Sequence, residues 1–126
     1  MNIPVNLKYT KDHEWLKFEG NEAFVGISDH AQHELGDIVF IEVETVGETL
    51  AKGEAFGTIE AVKTVSDMYM PVGGTVLEYN EELITHPEIL NQDPYEKGWV
   101  IKIKITDPSE ISELLDAAGY TAHIGA

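Results

Sequence analysis

From Trp99 to Ile105 hydrophobic and polar positions alternate, with apolar Val100 the one exception. Trp99, Ile101, Ile103 and Ile105 fall on one side, Lys102 and Lys104 on the other. A period of two predicts a half-buried β-strand. Shorter stretches repeat the signature. His13 to Phe18 sets Trp15 and Lys17 against Leu16 and Phe18, Glu19-Gly20-Asn21 reads as a turn, and Glu22 to Ile27 as the returning strand. Asp37 to Val43 reads as a buried strand in which Ile38 and Phe40 alternate with Val39 and Ile41. Thr75 to Tyr79 reads as a further strand. Helical signals are few. Ser28 offers a hydroxyl to cap Asp29 to Leu35, which Gly36 stops. Asp107-Pro108-Ser109-Glu110 supplies an acidic N-cap, proline at the first helical position and glutamate at N3. A C-terminal helix is therefore predicted over 108–118, burying Ile111, Leu114 and Leu115 and ending at Gly119, with 120–126 as a frayed tail. Thr45 to Gly53 reads as a turn. Residues 80–98 are irregular, with one short helix expected near Glu81 to Thr85.

Between the strands of the middle of the chain lies the stretch that the rest is arranged around, Phe56 to Thr75. Gly57 to Val62 and Val65 to Met70 are runs rich in β-branched and aromatic residues, separated by Lys63-Thr64. Such a gap reads as a hairpin, although Lys-Thr lacks the Asn-Gly or Asp-Gly that primed turns prefer. The hairpin sets Lys63 at its tip, where a lysine either simply meets solvent or serves as an attachment point. A weak internal repeat brackets it. Gly36-Asp37-Ile38-Val39 parallels Gly74-Thr75-Val76-Leu77, and Gly53 and Gly98 each close a loop before a strand. Two similar β-halves facing each other make a mainly β fold, a flattened sandwich with short helices and the lysine braced at one junction.

Composition narrows the partners. The chain's 126 residues suit a single domain, 1–126, long enough to bury a core. Hydrophobic residues make up 43%, which argues against disorder, while 8 Lys and Arg stand against 23 Asp and Glu for a net charge of −15. That balance disfavours nucleic acid and anionic membrane surfaces, both of which need clustered cations. It suits either partner proteins with basic faces or solubility alone, and the two readings stay open. With no cysteine, neither a disulfide framework nor a thiolate metal site forms, so any redox sulfur arrives on a cofactor. His30 and His33 lie three apart with no second cluster to complete a metal site, and no metal is expected. Met1 to Val5 has no basic, apolar signal region, and no apolar run approaches spanning length. A soluble, cytoplasmic and bacterial protein is expected, with a processed organellar form left open.

Glu60-Ala61-Val62-Lys63, followed by Ser66-Asp67 and Pro71-x-Gly73-Gly74, resembles the swinging-arm site of lipoyl-carrier proteins, in which a hairpin-tip lysine is amidated by lipoic acid. Within that class the chain is most similar to the glycine cleavage H-protein family. The resemblance includes Tyr9-Thr10-x-x-His13-Glu14-Trp15, Gly26-Ile27-Ser28-Asp29-His30-Ala31-Gln32, Leu35-Gly36-Asp37-Ile38-Val39 and Pro94-Tyr95-x-x-Gly98-Trp99, in the family's order over nearly the whole chain. It implies a barrel-sandwich hybrid of the lipoyl-carrier type. Biotin carriers share the hairpin but typically flank the lysine with methionine; Val62 and Thr64 stand here instead.

The resemblance implies a non-catalytic carrier with lipoic acid as an amide on Lys63. Nothing near Lys63 suggests an activated, nucleophilic lysine: the charged residues flanking it in sequence are the acids Glu60 and Asp67. Glu60 is implied in recognition by a lipoate ligase or lipoyl transferase. Glu14 and Asp67 are the implied acids that dock the arm, whose aminomethyl cargo carries a cationic amine. Asp12 stands where some relatives are expected to have serine; it either strengthens the amine contact or faces water. The implied partners are a PLP-dependent glycine decarboxylase, a tetrahydrofolate-dependent aminomethyltransferase and dihydrolipoyl dehydrogenase. Two other readings remain: a lipoyl donor or relay for 2-oxoacid dehydrogenase lipoyl domains, and a small acidic hydrolase using His13 and Glu14.

Overall fold

The computed structural model describes residues 1–126. Nine strands form two sheets that share one core. β1 (Lys8–Tyr9), β2 (Glu14–Glu19), β3 (Glu22–Ile27), β5 (Thr49–Leu50), β8 (Gly74–Tyr79) and β9 (Ile101–Ile105) build a six-stranded sheet in the order β1-β2-β3-β9-β8-β5. β4 (Ile38–Glu42), β6 (Ala55–Ala61) and β7 (Val65–Tyr69) build a three-stranded sheet in the order β4-β6-β7. All pairings are antiparallel. Helices are short: α1 (Asp29–Leu35), α2 (Glu82–Thr85), α3 (Ile89–Gln92) and α4 (Ala117–Ile124). None is long and apolar enough to cross a membrane. This is the mainly β sandwich that the sequence predicts, and the two Gly-led strings of the internal repeat fall in opposite sheets, at β4 and β8.

The core is the expected consequence of alternation. Leu16, Val25, Val76, Ile101 and Ile103 of the larger sheet meet Ile41, Phe56, Ile59 and Met68 of the smaller. The β2–β3 hairpin turns through Gly20-Asn21, with Gly20 at φ +64, the conformation that a two-residue loop needs at its first position. α1 starts on the Ser28 hydroxyl, which accepts from the Ala31 N–H at 3.1 Å, and stops at Gly36, φ +78.

The Thr45 to Gly53 stretch, expected as a turn, holds the short strand β5, whose Leu50 is buried in the core. Four further expectations change. The first is at the C-terminus. No helix runs over 108–118; a 3-10 turn occupies Pro108–Glu113, Leu114 turns extended, and Leu115 exchanges two 2.8 Å backbone bonds with Tyr9. Asp116 then caps α4, so Gly119 lies in its first turn and not at a stop. The 120–126 stretch is no frayed tail, because Tyr120 is wholly buried in a second cluster with Leu7, Tyr9 and Trp15 on the outer face of the larger sheet. The spacing of Ile111, Leu114 and Leu115 allowed a helix; a second cap and the burial of Tyr120 outweighed it.

The second change is in β4, an edge strand with an irregular register between Ile38 and Phe40, which leaves Val39 and Phe40 about half exposed. The third is Trp99. It precedes β9 and packs edge-on against Phe24, 5.2 Å between ring centres, on the face opposite Ile101 and Ile103. The fourth is in the irregular segment, where α3 joins the one helix expected.

Candidate functional site

The hairpin forms as β6 and β7, but its tip is three residues long, Val62 to Thr64, all exposed. Two backbone bonds fix it. The Ala61 N–H donates to the Thr64 carbonyl at 2.8 Å, and the Val62 N–H to the Asp37 carbonyl at 3.0 Å. The second bond ties the tip to the loop between α1 and β4, which explains how a Lys-Thr turn without primed-turn chemistry stays in place. The Lys63 side chain makes no hydrogen bond or ion pair; its stem lies close enough to Gly36 that an added Cβ there would sit 3.5 Å from Cε. The amine is thus presented free, leaning on the end of α1.

Next to Gly36, Glu34 and Leu35 begin the wall of a cleft of about 150 Å³ between the two sheets. Asp12, His13, Glu14, Ser66 and Asp67 line it together with Ile27, Ala31, Ile59 and Met68. The three acids singled out from the sequence are therefore brought together, although they come from two distant segments. Lys63 and Glu60 stand outside it. Glu60 is exposed and pairs in register with Phe40 on one side and Val65 on the other.

The acids differ in kind. Glu14 opens β2 and is 3% exposed. The Thr10 hydroxyl donates to its Oε1 at 2.7 Å and the Tyr69 N–H to its Oε2 at 3.4 Å, and no cation pairs with it. Burial pushes its carboxyl up to about 8; the two hydrogen bonds pull the other way, and the charge of Asp12 adds to the rise. Asp12 and Asp67 are exposed. Asp67 pairs with Thr58, so by strand alternation it shares the outer face with Glu60, at the rim of the cleft. Its neighbour Ser66 pairs with buried Ile59 and takes the inner face.

Sequence reading missed Ser66 and Glu34 as wall residues, and gave His13 only a hydrolase role. Strand parity would have found Ser66, since it stands opposite Asp67 in the alternation. His13 is not joined to Glu14 in any dyad: its Nδ1 lies 2.8 Å from the Tyr120 hydroxyl. It is also the one non-glycine residue with positive φ, +71. Burial lowers its pKa, His30 and His123 lower it further, and Asp12 and Glu34 oppose them.

A mainly β sandwich with an exposed hairpin lysine beside an acid-lined cleft has the fold of the lipoyl-carrier class. Comparison with known proteins narrows this. A family described as "Glycine cleavage H-protein" matches residues 7–125. Glycine cleavage system H proteins of Bacteroides thetaiotaomicron and Bacteroides fragilis are 57% and 54% identical, covering 97% and 100% of this chain and the same shares of their own. The crystal structure of a glycine cleavage system H protein from Mycobacterium marinum superposes with a TM-score of 0.90 at 37% identity, over 98% of this chain and 100% of that one. The chain belongs to the glycine cleavage H-protein family, the carrier component of the glycine cleavage system.

Proposed function

We propose that residues 1–126 work as one lipoyl-carrier domain, non-catalytic in itself, with lipoic acid held as an amide on Lys63 and the loaded arm docked in the cleft that Glu14 closes. The observation that carries the reading is the pairing of a free, exposed hairpin lysine with a cleft whose buried acid lacks a cation. The residues fit such a group. Ile27, Ala31, Leu35, Ile59 and Met68 give an apolar lining for an alkyl chain, and Asp12, Glu14 and Asp67 give acceptors for an amine. When bound, the lipoyl group supplies the sulfur that takes an aminomethyl unit from glycine and later gives it up.

The chain's own part is protection and presentation. A free amine lone pair would push out the sulfur, and water would turn the fragment into formaldehyde and ammonia. A protonated amine has no lone pair to give. With the cleft empty, Glu14 keeps its proton near neutral pH; an arriving ammonium displaces that proton, and burial then strengthens the resulting pair. The rim acids Asp12 and Asp67 add a field of the same sign. At the tip, Glu60 between Phe40 and Val65 offers a lipoate ligase or lipoyl transferase one charged contact on an apolar patch. Further partners are glycine decarboxylase, aminomethyltransferase and dihydrolipoyl dehydrogenase, each met through a tethered arm whose effective concentration replaces diffusional search. The bacterial relatives support a cytoplasmic setting.

Intact mass tests the reading. Co-expression with a lipoate ligase should add one lipoyl group, mapped to Lys63. A chain left unmodified under those conditions overturns it.

A further inference from the structure

The cleft holds many acceptors and few donors. Among its lining side chains only His13, Ser66 and protonated Glu14 carry a hydrogen to give, and the Ser66 hydroxyl already turns to the Asp67 carbonyl at 3.4 Å. His13 is therefore the wall's one ring N–H, and a chain of hydrogen bonds from the C-terminal helix decides which nitrogen bears it. Ser28 is wholly buried, and its Oγ accepts from the Ala31 N–H. The only other polar atom bonded to that hydroxyl is the Tyr120 oxygen, 2.7 Å away. If Tyr120 donated to Ser28, the Ser28 hydrogen would be buried without an acceptor. Ser28 must then donate to Tyr120, and Tyr120 to His13 Nδ1 at 2.8 Å. Nδ1 accepts, so in the neutral ring the proton stands on Nε2, which has no protein partner.

The arrangement is built, not incidental. Tyr120 is fixed by stacking flat on Tyr9, 4.7 Å between ring centres and 7° between planes. His13 is held in its left-handed conformation by its N–H to the Thr10 carbonyl at 3.2 Å and by the Ser28 N–H to its own carbonyl at 2.9 Å. Strain of this kind persists where the surroundings over-determine it, and it gathers at functional sites. The rings of His30 and His123 lie 4.8 and 6.0 Å from that of His13. They oppose a charge on it, whereas Asp12 and Glu34 favour one. Burial tips the balance to the neutral ring.

We propose that His13 is a neutral hydrogen-bond donor of the docking cleft, held in its Nε2–H tautomer by Tyr120, and that it serves a sulfur of the reduced arm. This rests on the carrier reading above. The arm's amine is itself a donor and needs the carboxylates; the sulfur left as thiolate after the cargo departs needs the opposite, and the surrounding acids would otherwise repel it. One cleft thereby serves both ends of the arm's cycle, with acids for the loaded form and His13 for the unloaded one. Tyr120 is the positioning residue.

Two measurements test it. Nitrogen NMR of the histidine rings in the unmodified full chain should show His13 with its proton on Nε2, and Tyr120→Phe, which keeps the stacked ring and loses the hydroxyl, should show mixed tautomers. A proton found on Nδ1 in the wild type overturns the proposal. In the lipoylated chain, reduced with a phosphine, alkylation by iodoacetamide is followed against pH. His13→Asn, a residue that tolerates positive φ, should shift the rate profile to higher pH and slow the reaction at pH 7 about tenfold, the order expected for one bond to a charged group. Tyr120→Phe should shift it in the same direction but less. An unchanged profile on a lipoylated His13→Asn chain sinks the role of His13 alone, whereas a chain that takes no lipoyl group sinks the carrier reading and this partner with it.

Discussion

The tip of the hairpin and the floor of the cleft hold the two groups on which the carrier reading depends, and they are opposites. Lys63 is exposed, its amine unbonded, and its stem only leans on the end of α1 while backbone bonds on either side fix the tip. Glu14 is 3% exposed, bonded at both oxygens and short of a cation. Attachment needs an amine that a ligase can reach, and reach requires solvent, where a side chain contributes little to stability. Holding a cargo's amine as a cation needs attraction undiluted by water, and that requires a carboxyl buried at a cost to the fold. The same molecule therefore keeps its chemistry independent of folding at one end and energetically coupled to it at the other. Mutations at the two ends should separate accordingly.

The largest effect belongs to the tip. Lys63→Arg keeps the charge but lacks the primary amine that a lipoyl amide needs. By intact mass, lipoylation should fall from one group to none, and glycine exchange with the partner enzymes should vanish. Denaturation should shift by no more than about 0.5 kcal/mol. A strongly destabilised Lys63→Arg would break the contrast from the tip side.

Next comes the cost of burying Glu14. The folded chain keeps its proton up to about pH 8, whereas an unfolded chain releases it near the ordinary 4.5. Between those values the unfolded state binds fewer protons, so this group makes the fold less stable as pH rises, beginning near 4.5 and levelling above about 8. Glu14→Gln cannot titrate, and its amide oxygen can still accept from Thr10. Relative to wild type it should gain a few kcal/mol of stability between roughly pH 5 and pH 8.5, since each tenfold difference in proton affinity between the folded and unfolded chains is worth about 1.4 kcal/mol. Urea midpoints at the two pH values measure it. Parallel behaviour of the two proteins would mean that Glu14 is ionised in the empty cleft.

Glu14→Ala addresses the same group when the arm is loaded. It should be lipoylated and charged with cargo, yet lose that cargo faster. Removing a charge-assisted contact worth roughly 1.5–3 kcal/mol allows a ten- to hundredfold faster release of formaldehyde from purified loaded protein, with no transferase present. Equal decay would move the guarding role to other residues, Asp67 first.

What could be read from the chain follows the same division between local and distant causes. The β2–β3 hairpin, the Ser28 cap and the Gly36 stop are local, and the sequence predicts each where the structure has it. The identity of the acids was legible through the resemblance, but their meeting in one cleft was not, because it depends on how β2 lies against β7. The C-terminal helix was placed too early for a physical reason. Asp107 and Asp116 are both competent caps, and only the pocket that buries Tyr120 against Tyr9 chooses where the long helix begins. The link from Tyr120 to His13 spans 107 residues, and no local pattern carries it.

The smallest expected effect is also the most discriminating, because it compares two acids of one cleft. Asp12 lies two residues before Glu14 and lines the same wall, but it is exposed and its carboxylate makes no hydrogen bond; only its backbone N–H is engaged, with the Thr10 hydroxyl at 3.2 Å. An exposed charge attracts an ammonium through water, and such pairs contribute about 0.2–1 kcal/mol. Asp12 also disfavours ionisation of Glu14, so its removal weakens one contact while easing the formation of a better one. These opposing effects leave little net change. Asp12→Asn should therefore alter the decay of the loaded form by less than about threefold, and what change remains should shrink further in high salt, which screens exposed charges more than buried ones. The assay is the same formaldehyde release, run at low and at high ionic strength beside Glu14→Ala. If Asp12→Asn decays as fast as Glu14→Ala, and does so in both buffers, burial is not what makes the guarding acid, and the division between an exposed rim and a desolvated floor has to be given up.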